Sequence, residues 1–199
     1  MLTSRRTLLS VVAASTVLTP VMARAEDLTR TERSFGSADA KTTVIECFSL
    51  TCTHCAAFAK GTLPEVKKQL IETGKVRWVL QDFPLNQVDL TAFMVSRYLP
   101  PDRFPAFAEA LLATQDRWAF ARGVNSNDEL FKMAALAGMS KATFDKAVAD
   151  DDLKKWIIAE EKKVGERWSV DSTPTFIING EKHVGGMDFN TFRQLIPES

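Results

Sequence analysis

An apolar, strand-forming run, Val44 to Leu50, is followed at once by two cysteines, Cys52 and Cys55, spaced C-x-x-C. After them the sequence turns helical, with Ala56-Ala-Phe-Ala-Lys and then Val66-Lys-Lys-Gln-Leu-Ile. A strand that hands a cysteine pair to the first turn of a helix leaves few architectures open. Two cysteines three apart can close a small disulfide ring at the helix start. There the first thiol faces free backbone N–H groups and the positive end of the helix dipole, both of which favour a thiolate.

The strand itself is expected over Thr42 to Leu50. Its alternation puts Val44, Glu46, Phe48 and Leu50 on one face and Ile45, Cys47 and Ser49 on the other. Both faces are mainly apolar, as for a central strand covered on both sides. Glu46 is the anomaly, a carboxylate among core residues six positions before Cys52. The helix opened by Cys52 is expected to run to about Thr73, with Gly61 and Pro64 marking a kink and Gly74 a stop. Val76 to Phe83 reads as a second strand ended by Pro84. The β-α-β order implies a parallel pair with a right-handed crossover.

Five helical patterns follow without a strand between them: Val88–Leu99, Asp102–Ala113, Asn127–Leu136, Ser140–Ala149 and Asp151–Glu166. Ser140 and Asn127 are the N-cap candidates, and Pro100-Pro101 and Gly138 punctuate the series. Strands return with Thr175 to Ile178 and Glu181 to Val184 around Asn179-Gly180, the chemistry of a two-residue type I′ hairpin. Asp188 can cap a last helix to about Leu195. The polar stretch Glu26 to Lys41 reads as an N-terminal arm or a short edge element.

Residues 1–25 have the pattern of a cleaved signal peptide: Arg5 and Arg6, an apolar Leu8 to Leu18, and Ala23-Arg24-Ala25. Ser4-Arg5-Arg6-Thr7-Leu8-Leu9 resembles a twin-arginine export signal, with an ordinary secretory signal as the alternative. Removing them takes away three arginines and no acid, so the remaining 174 residues carry 22 basic and 25 acidic side chains. Neither a nucleic-acid surface nor a polybasic membrane tail is visible. Three cysteines allow at most one internal bridge, with Cys52–Cys55 the expected pair, and exclude a framework of structural disulfides.

Cys52-Thr-His-Cys55, the helical series and Ser172-Thr173-Pro174-Thr175-Phe176-Ile-Ile-Asn-Gly180 together resemble the DsbA family of thioredoxin-like thiol–disulfide oxidoreductases over roughly residues 35–198. The resemblance implies an α/β, thioredoxin-like fold, a central mixed sheet flanked by helices with an inserted helical subdomain. Its parts would be 26–84 with the C-x-x-C site, the insert 85–167, and 168–199 with the proline and hairpin. It implies that Pro174 is cis and lies against the cysteines, and that the backbone of Thr173 pairs with substrate. Cys52 becomes the nucleophile and Cys55 the resolving thiol. Free cysteine titrates near ~8.5, and C-x-x-C sites lower that to roughly 3.5–7.5, a range this family helps to define. His54 can add positive charge or a hydrogen bond to the Cys52 thiolate, and Glu46 matches a buried acid that relays protons to and from Cys55.

Duller readings stand beside these. The cysteines could form half of a zinc site, yet only His54 and His183 are available as histidines and Cys47 lies in mid-strand. A structural bridge over so short a ring gains little loop-closure entropy. Pro174 alone would read as a strand-start proline, His54 as an exposed helix residue, and Glu46 as an edge carboxylate paired with Arg77. Cys47, His183, Phe104, Phe107, Phe131 and Met133 read as structural.

The expectation is a monomeric periplasmic oxidant of exported proteins, reoxidised by a DsbB-like membrane quinone reductase and needing no organic cofactor or metal. Thr53 stands where many relatives have proline. Thr173 is common in isomerase-like and reductase-like relatives, so an isomerase or reductase using the same site is the alternative. A metal-binding or chaperone-like protein using Cys52, His54 and Cys55 is the third.

Overall fold

A computed structural model describes residues 27–197, so the signal-peptide reading of residues 1–25 lies outside the described residues. Five strands form one mixed sheet: β1 Arg33–Phe35, β2 Thr42–Phe48, β3 Val76–Asp82, β4 Thr175–Ile178 and β5 Glu181–Val184, in the order β1-β3-β2-β4-β5. The β2–β3 pair is parallel, as the β-α-β order requires, and the other pairs are antiparallel. β2 is therefore central. It stops at Phe48, two residues before the end of the apolar run, because Ser49 to Thr51 turn toward the helix that follows.

The alternation along β2 sorts its side chains into two cores. Val44, Phe48 and Leu50 join the main cluster, while Cys47 packs with Ile177, Phe83 and Val170 on the other face. The main cluster is built around Trp78, Phe58, Phe176 and Phe192. Phe58 stacks on Trp78 at 6.1 Å between centroids and meets Phe176 at 4.7 Å. Phe104 and Phe107 are buried, and Phe131 and Met133 are partly buried against the same core.

The helix after the cysteines is α1 Thr53–Gly61, which breaks at Thr62 before the short α2 Leu63–Val66 and a π-helical turn Lys67–Ile71. Pro64, without an N–H, sits in the first turn of α2, where that N–H would be unpaired anyway. Between β3 and β4 lie only helices: α3 Gln87–Arg97, α4 Phe104–Ala113, α5 Gln115–Trp118, α6 Ser126–Leu136, α7 Lys141–Val148 and α8 Asp151–Trp168. Ser140 caps α7 as expected, accepting from Thr143 N. The cap of α6 is Asn125 rather than Asn127, because the Asn125 side chain accepts from Asn127 N and leaves Asn127 inside the helix. The short α5 has no periodicity long enough to read from sequence. Asn179 and Gly180 both take positive φ in the hairpin turn, and Asp188 caps the last helix, α9 Phe189–Gln194.

The N-terminal stretch is more than an arm. A 3-10 turn, Leu28–Arg30, leads into edge strand β1, whose Arg33 is 0% exposed. Its guanidinium donates to Leu28 O at 2.9 Å, Thr31 Oγ1 at 2.7 Å and Arg97 O at 3.0 Å. Arg97 in turn pairs with the buried Asp82 and donates to Thr29 O and Thr31 O. No helix among the described residues is long and apolar enough to cross a membrane.

Candidate functional site

Cys52 is the N-cap residue of α1, with extended φ −82° and ψ 121°, and its carbonyl accepts the first helical bond from Ala56 N at 3.1 Å. No acidic residue stands in the first turn to offset the positive helix end. Cys52 is 9% exposed, whereas Cys55, one turn in, is 0% exposed. Both are free thiols in this structure, as is Cys47. The Cys55 thiol donates to the Cys52 sulfur, the largest of the effects that bring the Cys52 pKa down to about 5 against the opposing effect of burial. The Thr173 hydroxyl and the backbone N–H groups of Cys55 and His54 act in the same direction. Cys55 moves the opposite way: burial, and then the bond it donates to Cys52, push its thiol far above the ordinary range. The two sulfurs are thus strongly unequal, one a thiolate at neutral pH and the other a thiol.

The Thr173–Pro174 peptide is cis and brings the Thr173 carbonyl within 3.3 Å of Cys52 Sγ, which donates to it as a thiol. The Thr173 hydroxyl is buried with no hydrogen-bond partner. Pro174 O accepts from Gly185 N at 2.8 Å, and Gly186 lies against His54 O and the Pro174 ring. The segment after β5 therefore closes one side of the site.

Glu46 sits on the Cys55 side of β2, 2% exposed, accepting from Trp78 Nε1 at 2.9 Å. Burial pushes its carboxyl up to about 7, the Trp78 bond opposing, and its charge in turn adds to the raising of Cys55. The edge-carboxylate reading of Glu46 is overturned: β2 is central, and Arg77 pairs with Glu32. His54 is brought to the site through its main chain. Its N–H faces the Cys52 sulfur, while its side chain is exposed and makes no hydrogen bond among the described residues. Cys47 is on the opposite face, where burial lifts its thiol to about 12. His183 is a half-buried residue of β5 opposite Phe176. Among the described residues no three His, Cys, Asp or Glu side chains converge as metal ligands.

Three polar residues of the helical insertion, not singled out from the sequence, hold the Ser49–Cys52 bridge. Asp89 is buried and accepts from Ser49 Oγ at 2.6 Å, Leu50 N at 2.9 Å and Leu85 N at 2.9 Å. Asn86 Nδ2 donates to Thr51 Oγ1 at 2.9 Å. Gln115 Nε2 donates to Leu50 O at 2.8 Å and Cys52 O at 3.0 Å. Asn86, before the helix, could have been read as its N-cap; nothing local marks the other two.

A C-x-x-C at a helix start, a cis-proline against it and an all-helical insertion define a thioredoxin-fold protein with a dithiol site. The chain belongs to the thioredoxin family, whose model it matches over residues 28–198. Its fold is shared with crystal structures of Wolbachia pipientis alpha-DsbA1 (TM-score 0.77, 26% identity, 84% of this chain and 89% of that one) and of Bacillus subtilis BdbD in its oxidised form (TM-score 0.72, 19% identity, 83% and 90%). In sequence it is similar to a Rickettsia bellii protein described as "Putative protein-disulfide oxidoreductase", 30% identical over 73% of this chain and 56% of that protein. The chain spans about half the length of the curated relatives it matches.

Proposed function

We propose that the chain is a thiol–disulfide oxidoreductase that introduces disulfide bonds into exported proteins. The observation that carries this reading is geometric: Cys52 stands at the start of α1, with Cys55 one turn in and the cis Thr173–Pro174 peptide against its sulfur. The Cys55 thiol brings the Cys52 pKa down to about 5. A stabilised thiolate stabilises the dithiol form, which makes the disulfide form an oxidant. In the forward reaction a substrate thiolate attacks Cys52 Sγ of the Cys52–Cys55 disulfide. The S–S bond breaks and Cys55 leaves, taking a proton from Glu46. A second substrate thiolate then attacks the substrate sulfur of the mixed disulfide and expels Cys52 as a thiolate. Two electrons pass from the substrate dithiol to the cysteine pair, and no organic cofactor or metal takes part.

In this reading the main chain of Thr173 pairs with the substrate backbone beside Pro174, and the peptide N–H of His54 steadies the thiolate. The protein works as a monomer in the periplasm after export on a twin-arginine-like signal over 1–25, and a DsbB-like quinone reductase reoxidises it. The insert 85–167 divides the redox part 26–84 from 168–199. Thr173 favours a second reading, in which the same site works as an isomerase or reductase kept reduced by a membrane electron donor. The glutathione redox equilibrium of the chain from Glu26 to Ser199 separates the two. A potential well above the glutathione pool is expected. A potential at or below it transfers the case to the reductase, and failure of Cys52 and Cys55 to bridge overturns both.

A further inference from the structure

Leu50 is completely buried, and its carbonyl lies past the end of β2, where no ladder partner remains. The Cys52 carbonyl has the helical bond from Ala56 N, at 3.1 Å, and room for one more donor. One side chain serves both. Gln115, 7% exposed, reaches from α5 and splits its amide N–H₂ between Leu50 O and Cys52 O, 65 and 63 residues away along the chain. α5 is itself pinned by Trp118, which is fully buried and donates Nε1–H to Leu111 O at 2.8 Å. The amide therefore comes from a fixed position.

We propose that Gln115 is a positioning residue for the Cys52 thiolate: its two hydrogen bonds set the main chain of Cys52 so that Sγ meets its donors at the start of α1. The inference rests on the reading of Cys52 as the reacting sulfur. The groups placed to act on that sulfur are the Cys55 thiol, the Thr173 hydroxyl and the N–H groups of Cys55 and His54, each of which lowers its pKa. Each is directional, so a shift of the Cys52 carbonyl that swings Sγ away weakens all of them together. Asp89 holds the same bridge through Ser49 and Leu50 and makes no hydrogen bond to Cys52. Gln115 is the insertion residue that bonds to Cys52 itself.

The test is the thiolate absorbance of reduced protein followed against pH, in the parent and in Gln115→Met, which keeps the length of the side chain, and Gln115→Leu, both of which remove its donors without adding charge. The Cys52 pKa is expected to rise by about a unit, with about a tenfold shift of the glutathione equilibrium toward the Cys52–Cys55 disulfide. Phe144→Leu, a core change in α7, serves as control and should lower the melting temperature with the pKa unmoved. A folded Gln115 variant with the parental pKa overturns the proposal, because a purely structural role predicts only lost stability. Should neither variant fold, the parent still decides: the Gln115 side-chain amide resonances must be protected from exchange and must titrate with Cys52. Resonances that exchange freely and stay still refute it. A parent chain with no thiolate below neutral pH would instead bring down the redox reading on which the proposal rests.

Discussion

At the scale of single residues the site is a set of displaced titrations, and pH is the natural probe. With Cys52 at about 5 and Cys55 far higher, reduction of the pair takes up two protons below pH 5 and one above it. The reduction potential should fall by about 60 mV per pH unit below that point and by about 30 mV above it. A straight line through pH 5 would deny the low Cys52 pKa. Glu46 works in the other direction. Its folded pKa, about 7, lies above an unfolded value near 4.5, so the native state holds a proton that the unfolded chain has lost. Its contribution to stability is intact below about pH 4.5 and is lost as pH rises through 7. Glu46→Gln should therefore stabilise the oxidised protein at pH 8 by ~2–3 kcal/mol relative to its effect at pH 4, read from urea unfolding. The same variant should slow release of Cys55 from the disulfide by about 100-fold in stopped-flow exchange near neutral pH. Unchanged kinetics would leave Glu46 a structural acid bonded to Trp78.

Elements matter here chiefly where they stop. β2 ends at Phe48 and α1 starts at Thr53, and the connection is irregular main chain buried between the sheet and the insertion. Buried peptide groups outside a ladder must find side-chain partners, and α3 supplies them through Asp89. Asp89→Asn keeps the shape but turns one acceptor into a donor facing other donors. Its cost should be ~2–3 kcal/mol in urea unfolding at pH 7. Burial raises the Asp89 pKa to about 6 against its hydrogen bonds, so the charged carboxylate is itself under tension. The folded pKa lies above the unfolded one, so the parent loses stability as pH rises through about 6, and the cost of Asp89→Asn should be smaller at pH 7 than at pH 5. A loss below 0.5 kcal/mol at both would show that the bridge holds without the clasp.

Over the whole molecule, the edge of the sheet is fastened to the insertion by buried charge. Arg97 pairs with Asp82, and Arg33 donates to the Arg97 carbonyl. Both guanidiniums lie over the Phe104 ring, at 5.3 and 5.7 Å, and together they stitch the 3-10 turn to α3. Burial and the neighbouring Arg97 cation pull the Arg33 pKa down to about 10, and burial outweighs Arg97 in raising that of Asp82. Removing Arg33 leaves the Arg97–Asp82 pair in place but strips the donors from Thr31 Oγ1, Leu28 O and Arg97 O, which typically costs ~1–3 kcal/mol. Arg33→Leu should lower unfolding stability by about that much while leaving the Cys52 titration in place. Equal shifts in both would mean that the edge and the redox site are coupled.

What the amino-acid sequence determined by itself was whatever depends on neighbours in the chain. The strand before Cys52, the break near Gly61 and Pro64, the Ser140 cap and the positive-φ turn at Asn179-Gly180 are all local choices of backbone and propensity. Glu46 stood out because a carboxylate interrupts an apolar alternation. Tertiary structure alone decided which distant groups meet. The Thr173 carbonyl reaches Cys52 across 121 residues, Gln115 serves carbonyls more than 60 residues back, and polar Arg33 is the most enclosed cation of the edge. The physical reason is that a buried polar group is satisfied by whatever the fold brings within ~3 Å. No periodicity or composition encodes that partner. It exists only once sheet and insertion have closed on each other.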